Sequence, residues 1–84
     1  MKYFEWNREK NEILKIQREI SFSEVVVAIE AGGLLDIIQK MFVVNINNYV
    51  YLVPFAEGDE KYFLKTIFPS RKMTKKYLIK GGEK

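Results

Sequence analysis

Eighty-four residues carrying a formal net charge of +3, 48% hydrophobic and 14% aromatic, describe one globular domain over residues 1–84 and exclude a disordered chain. With neither cysteine nor histidine, the chain has no disulfide framework, no thiolate or imidazole for zinc, and no Ser-His-Asp or Cys-His pair. Charges appear within the first eight residues and no apolar run approaches the ~20 residues of a membrane span, so the expectation is a cytoplasmic protein with no membrane partner.

In chain order, Tyr3–Trp6 has room for a short extra strand. Asn7 is a good helix cap, and Ile13, Ile16, Gln17 and Ile20 form one stripe, which predicts a helix from Asn7 to Glu19. Ser21-Phe22-Ser23-Glu24 is a capping box, and Phe22, Val25, Val26 and Ile29 follow at i, i+3, i+4 and i+7. The run Val25-Val26-Val27 favours a strand by about half a kcal/mol per residue, which the cap before it and the Gly32-Gly33 stop after it outweigh.

From Leu34 the pattern turns to β. Leu34–Ile38, Met41–Ile46, Tyr49–Phe55 and Lys61–Phe68 read as four strands, with Asn47-Asn48 as a two-residue hairpin turn and Glu57–Glu60 as the next turn. Pro54 cannot donate to a ladder, so it marks a strand end, an edge or a bulge. Pro69 ends the sheet, and Ser70 caps a short helix to about Ile79. That helix places Met73, Thr74, Tyr77 and Leu78 on one side and Arg71, Lys72, Lys75, Lys76 and Lys80 on the other. Gly81–Lys84 reads as a frayed end. The predicted class is α+β: two N-terminal helices, a mainly antiparallel sheet of about four strands and a basic C-terminal helix.

Charge is unevenly spread along this plan. Residues 1–69 hold eight Lys/Arg against ten Asp/Glu, a net −2, while residues 70–84 hold six against one, a net +5. Such asymmetry points to a polyanion, although a basic tail can also be mere solvated surface. Gly32-Gly33 precedes a strand and is a helix stop, not a phosphate loop. Asp36 with Glu30 or Glu57 is too scattered to predict a metal site, and no cofactor is expected. What remains is cationic and aromatic: Lys65, Arg71, Lys72, Lys75 and Lys76 beside Tyr49, Tyr51, Tyr62 and Tyr77. Cations neutralise phosphates and aromatic faces stack on unpaired bases, so this set suits single-stranded RNA. Lys65, Lys75, Lys76, Tyr51 and Tyr77 are the predicted RNA-binding residues, with at least two of the four tyrosines expected to be packed in the core. RNA cleavage needs no histidine in principle: the 2′-hydroxyl attacks the adjacent phosphorus once it is oriented, a base takes its proton, and the developing charge is stabilised.

Phe4-Glu5-Trp6-Asn7 followed by Lys10-Asn11, then Ile20-Ser21-Phe22-Ser23-Glu24, then Ser70-Arg71-Lys72-Met73-Thr74 resembles the BrnT-type toxins of bacterial type II toxin–antitoxin systems. Their corresponding patterns read FEWD-x-x-K-N, G-I-S-F-x-E and S-x-R-K-A-T. The resemblance covers nearly the whole chain. It implies a RelE-like ribonuclease fold, RNA cleavage that stalls translation, and a small DNA-binding antitoxin of ribbon-helix-helix type as partner; the small size of the chain separately makes a homo-oligomer compatible. It makes the basic cluster the active-site wall, with Arg71 matching the family's arginine and Lys72 beside it as catalytic residues. The chain departs from the pattern at Asn7 for Asp, at Met73 for Ala and at Tyr77 for an acidic residue, and it passes from Ile38-Gln39 to Lys40-Met41 without the family's longer connection. A non-catalytic RNA- or protein-binding module of the same fold is the alternative, and a purely structural partner-binding protein a third reading.

Overall fold

The computed structural model describes residues 2–79; Lys80 and the Gly81–Lys84 end lie outside the described residues. The elements are β1 (Tyr3–Trp6), α1 (Arg8–Arg18), α2 (Phe22–Ala28), β2 (Leu34–Ile38), β3 (Met41–Ile46), β4 (Tyr49–Glu57), β5 (Lys61–Leu64), β6 (Phe68–Pro69) and α3 (Arg71–Thr74). A π turn, Ile29–Gly33, extends α2, and another, Lys75–Ile79, extends α3. The α+β class is as expected, but the sheet has six strands rather than four. It runs β1-β5-β4-β3-β2, with β6 also on β4, and β1 lies parallel to β5 while the other pairs are antiparallel.

Both extra strands have clear causes. Tyr3–Trp6 joins the sheet because Phe4 packs with Phe42 and Tyr62, and Trp6 stacks on Phe22 with ring centroids 5.7 Å apart. The expected Lys61–Phe68 strand is broken into β5 and β6. Leu64 opposes Phe55 and Phe68 opposes Leu52, so three residues face the two residues Val53 and Pro54, a one-residue bulge. Pro54, with no N–H to give, lies opposite the bulge, while its carbonyl accepts Lys65 N–H at 2.8 Å.

The local signals at helix ends and turns hold. Asn7 Oδ1 accepts from Lys10 N–H at 2.9 Å, and Ser21 Oγ accepts from Glu24 N–H at 3.3 Å. Gly32 ends α2 at φ 95°, a left-handed stop. Gly33 has no room for a side chain, since a Cβ there would sit 2.8 Å from both the Ala28 and Asn45 carbonyl oxygens. Asn47 and Asn48 take φ of 54° and 65° in the β3–β4 turn. Gln39 and Lys40, at φ 48° and 62°, make a second tight turn, so β2 passes directly into β3 with no longer connection.

The α1 stripe is a correction. The helix buries Asn11 and Leu14 instead, and Ile13 and Ile16 are 45% and 81% exposed. The buried face is set by Asn11, whose Oδ1 accepts the Phe22 N–H at 2.8 Å and so ties α1 to the start of α2. Alternation along the strands divides the apolar residues into two cores. On one face α1 and α2 bring Leu14, Ile20, Phe22 and Val25 onto Phe42, Val44, Ile46, Val53, Phe55, Leu64 and Ile67. On the other, α3 and its π turn lay Met73, Tyr77 and Leu78 over Val43, Val50 and Leu52.

Candidate nucleic-acid interface

The helix α3 is short, yet its first turn is held at four points. Ser70 Oγ accepts from Met73 N–H at 3.1 Å as the cap. The backbone of Val50 is clasped from both sides: its carbonyl accepts Ser70 N–H at 3.0 Å, and its N–H donates to Thr74 Oγ1 at 2.9 Å. Thr74 in turn donates its hydroxyl proton to the Ser70 carbonyl at 2.8 Å, and Thr74 is only 6% exposed. Where β6 ends, β4 would otherwise carry an unpaired donor and acceptor; Ser70 and Thr74 satisfy both.

This clasp fixes the backbone that carries the cations. Arg71, Lys72, Lys75 and Lys76 are all exposed on the outer side, as the charge pattern predicts. Among the described residues none of these four makes a salt bridge, so their charge is available to a ligand. Lys65 is exposed at the bulge between β5 and β6, in the same segment that leads into Arg71. Arg18 reaches across from α1 and donates to the Ile67 carbonyl, pinning this segment from the other side.

The two predicted tyrosines are placed differently from the lysines. Tyr51 points to the α1/α2 face, where it packs against the core and meets Tyr49 edge-on at 5.8 Å, so the sheet separates it from α3. Tyr62 is packed on that same face. Tyr77 packs under α3, and its hydroxyl donates to Asp36 Oδ2 at 2.8 Å, with Lys76 over its ring at 5.5 Å. It joins the basic helix to the edge strand β2. The hydroxyl, the Ile37 N–H and then Lys76 hold the Asp36 carboxyl below its ordinary range, and the carboxylate raises the Tyr77 phenol above its own. Sequence reasoning placed Thr74 on the inner side of the helix but missed its role, for which a hydroxyl in an otherwise apolar helix face was the available signal.

Among the described residues, no cluster of three metal-ligating side chains occurs, and no helix is long and apolar enough to cross a membrane. A surface hollow of about 630 Å³ lies between α2, the Gly32-Gly33 turn and the end of β3, and none of the basic-cluster residues lines it.

No family model and no curated protein matches this sequence. Among solved structures, the crystal structure of the ribonuclease toxin BrnT of Brucella abortus matches with a TM-score of 0.59 over 83% of this chain and 97% of that chain, at 12% identity. The chain has the BrnT fold. In this BrnT-like frame the three sequence motifs acquire structural reasons. Phe4 and Trp6 pack inward, Asn11 ties the helices, Ser21 caps α2, and Ser70 with Thr74 fastens the basic turn to β4.

Proposed function

We propose that this chain is the toxin of a type II toxin–antitoxin pair, a metal-independent endoribonuclease that cuts RNA in the cytoplasm and inhibits translation. The observation that supports this reading most is the cationic turn Arg71–Lys76 anchored by the Val50 clasp on a BrnT fold. Arg71 follows directly from the cap residue Ser70, whose N–H and Oγ are both hydrogen-bonded, so its backbone is held, as transition-state contacts require. Its planar guanidinium forks onto the phosphate oxygens. Lys72 sits beside it as a second cation at the phosphate, and a base takes the proton of the 2′-hydroxyl. The 2′-oxygen then bonds to phosphorus, the bond to the 5′-oxygen breaks, and the leaving oxygen takes up a proton. Lys65, Lys75 and Lys76 hold neighbouring phosphates. The partner is a small antitoxin of ribbon-helix-helix type that covers this face.

A second reading, an RNA-binding module that does not cut, is favoured by one feature: Asp36, the carboxylate that hydrogen-bonds to this helix region, is engaged by Tyr77. Single-turnover cleavage separates the two. Arg71→Ala should slow cleavage on the order of 100-fold with folding intact, while Lys75→Ala and Lys76→Ala weaken binding more than the chemical step. An Arg71→Ala protein that cuts at the wild-type rate removes Arg71 from the mechanism, and wild-type protein that binds RNA without producing new ends supports the module.

A further inference from the structure

Among the described residues, α3 and its π turn cover only half of their face of the sheet. Met73, Tyr77 and Leu78 lie over β2, β3 and the first half of β4, and Phe68 joins them there. Beyond, the same face of β1, β5 and the far half of β4 carries Tyr3, Glu5, Lys61, Phe63 and Ala56, of which Tyr3 and Ala56 are exposed and the others half-buried. Alternation puts Tyr62 and Leu64 into the α1/α2 core, so Lys61 and Phe63 point to the opposite side, where both are half-buried. In β1, Phe4 and Trp6 go inward and Tyr3 and Glu5 outward.

Phe63 is the unusual residue here. It lies between Glu5 on β1 and Ala56 on β4, joins neither apolar core, and pairs with no other ring among the described residues. Tyr3, one cross-strand row away opposite Lys61, is 52% exposed. The one carboxylate of the patch, Glu5, is neutralised by Lys61 at 2.9 Å. Two residues after Phe63 comes the exposed Lys65, and the chain then runs through β6 to Arg71. A half-buried ring that joins neither core thus stands, along the chain, two residues before Lys65 and eight before Arg71.

We propose that this half-face is a base-stacking platform for single-stranded RNA, with Phe63 as the ring a base lies on, Tyr3 as its neighbour and Lys65 as the nearest phosphate contact. The proposal rests on the RNA-binding reading above and replaces Tyr51, which lies on the face away from α3, as the stacking residue. A ring on the sheet and cations on an anchored turn divide the work: stacking holds the base, and the charges set where the backbone passes Arg71.

The test measures binding of the full chain to a labelled single-stranded RNA by fluorescence anisotropy across a salt series, with circular dichroism to confirm folding. Phe63→Leu should weaken binding roughly tenfold with an unchanged salt slope, because it removes a stacked base and no charge. Phe63→Tyr should bind as the wild type does. Lys75→Ala should also weaken binding but flatten the log–log salt slope by about 0.7. If Lys75→Ala weakens binding and Phe63→Leu leaves it unchanged, the platform is overturned and the RNA reading stands. If wild-type protein binds no RNA at low salt, the RNA reading itself falls and the platform with it. If Phe63→Leu spares RNA affinity but abolishes co-purification with a co-expressed antitoxin, the face is a protein interface and the proposal is wrong.

Discussion

Thr74→Val is the sharpest probe of how the basic turn is held. Valine keeps the shape of threonine but removes the oxygen that accepts the Val50 N–H at 2.9 Å and donates to the Ser70 carbonyl at 2.8 Å. The Ser70 carbonyl keeps the Thr74 N–H, 3.0 Å away, so its loss is small. Val50 is fully buried, and its N–H is left without a partner. An unsatisfied buried donor costs about 1–3 kcal/mol, a large part of the stability expected of so small a domain. Thr74→Val should therefore destabilise by about 2 kcal/mol, read as a lower urea midpoint, and Thr74→Ser should recover most of it. Amide exchange gives the local readout: the Val50 amide should be protected in the wild type and exchange much faster in Thr74→Val. Equal stability and equal Val50 protection in the two proteins would refute the clasp.

Asn11→Ala should cost on the order of 2 kcal/mol by urea denaturation, since the buried Phe22 N–H loses its acceptor; an unchanged midpoint would mean that this contact does not tie the helices. Gly33→Ala should be more damaging than Gly58→Ala, because only at Gly33 does a Cβ meet backbone oxygens at 2.8 Å; thermal melts compare them. Replacing the tight-turn pair by Gln39→Asn and Lys40→Gly should stabilise by about 1 kcal/mol, because both residues now hold positive φ; a lower melting temperature would contradict this. The Asp36–Tyr77 bond should give stability at neutral pH that is lost at both ends. A carboxyl held low contributes above its ordinary range and loses this as pH falls through its depressed native value. A phenol held high contributes below its ordinary range and loses this as pH rises through its raised native value. Tyr77→Phe should therefore differ from wild type mid-range and converge with it at both extremes, and a constant difference in urea midpoint would refute the linkage.

Elements bounded by local chemistry were readable in the sequence. Caps at Asn7, Ser21 and Ser70, the glycine stop and the Asn47-Asn48 turn depend on residues within four positions of one another, and each is where its pattern predicts. Features decided by distant partners were not. The Ile13-Ile16-Ile20 stripe is a sound helical period, but α1 turns on Asn11, whose partner lies eleven residues on, and two of the isoleucines face water. The break between β5 and β6 depends on a count of residues against β4, which periodicity in one strand cannot supply.

The candidate site divides in the same way. Composition gathers lysines and tyrosines into one set, and the +5 end does form one exposed cationic face. Strand parity then separates the aromatics from it. In β4, Tyr51 shares a face with Val53 and Phe55, beneath α1 and α2, while Val50 and Leu52 take the face beneath α3. In β5 the same period sends Tyr62 to the core and leaves Phe63, which carries no polar handle and reads as core in the sequence, on the side that α3 only half covers. Polarity therefore misleads at this face. Tyr51, Tyr62 and Tyr77 are bound up in packing or in the Asp36 contact, and Phe63 stays outside both cores because so short a helix reaches only one half of its face.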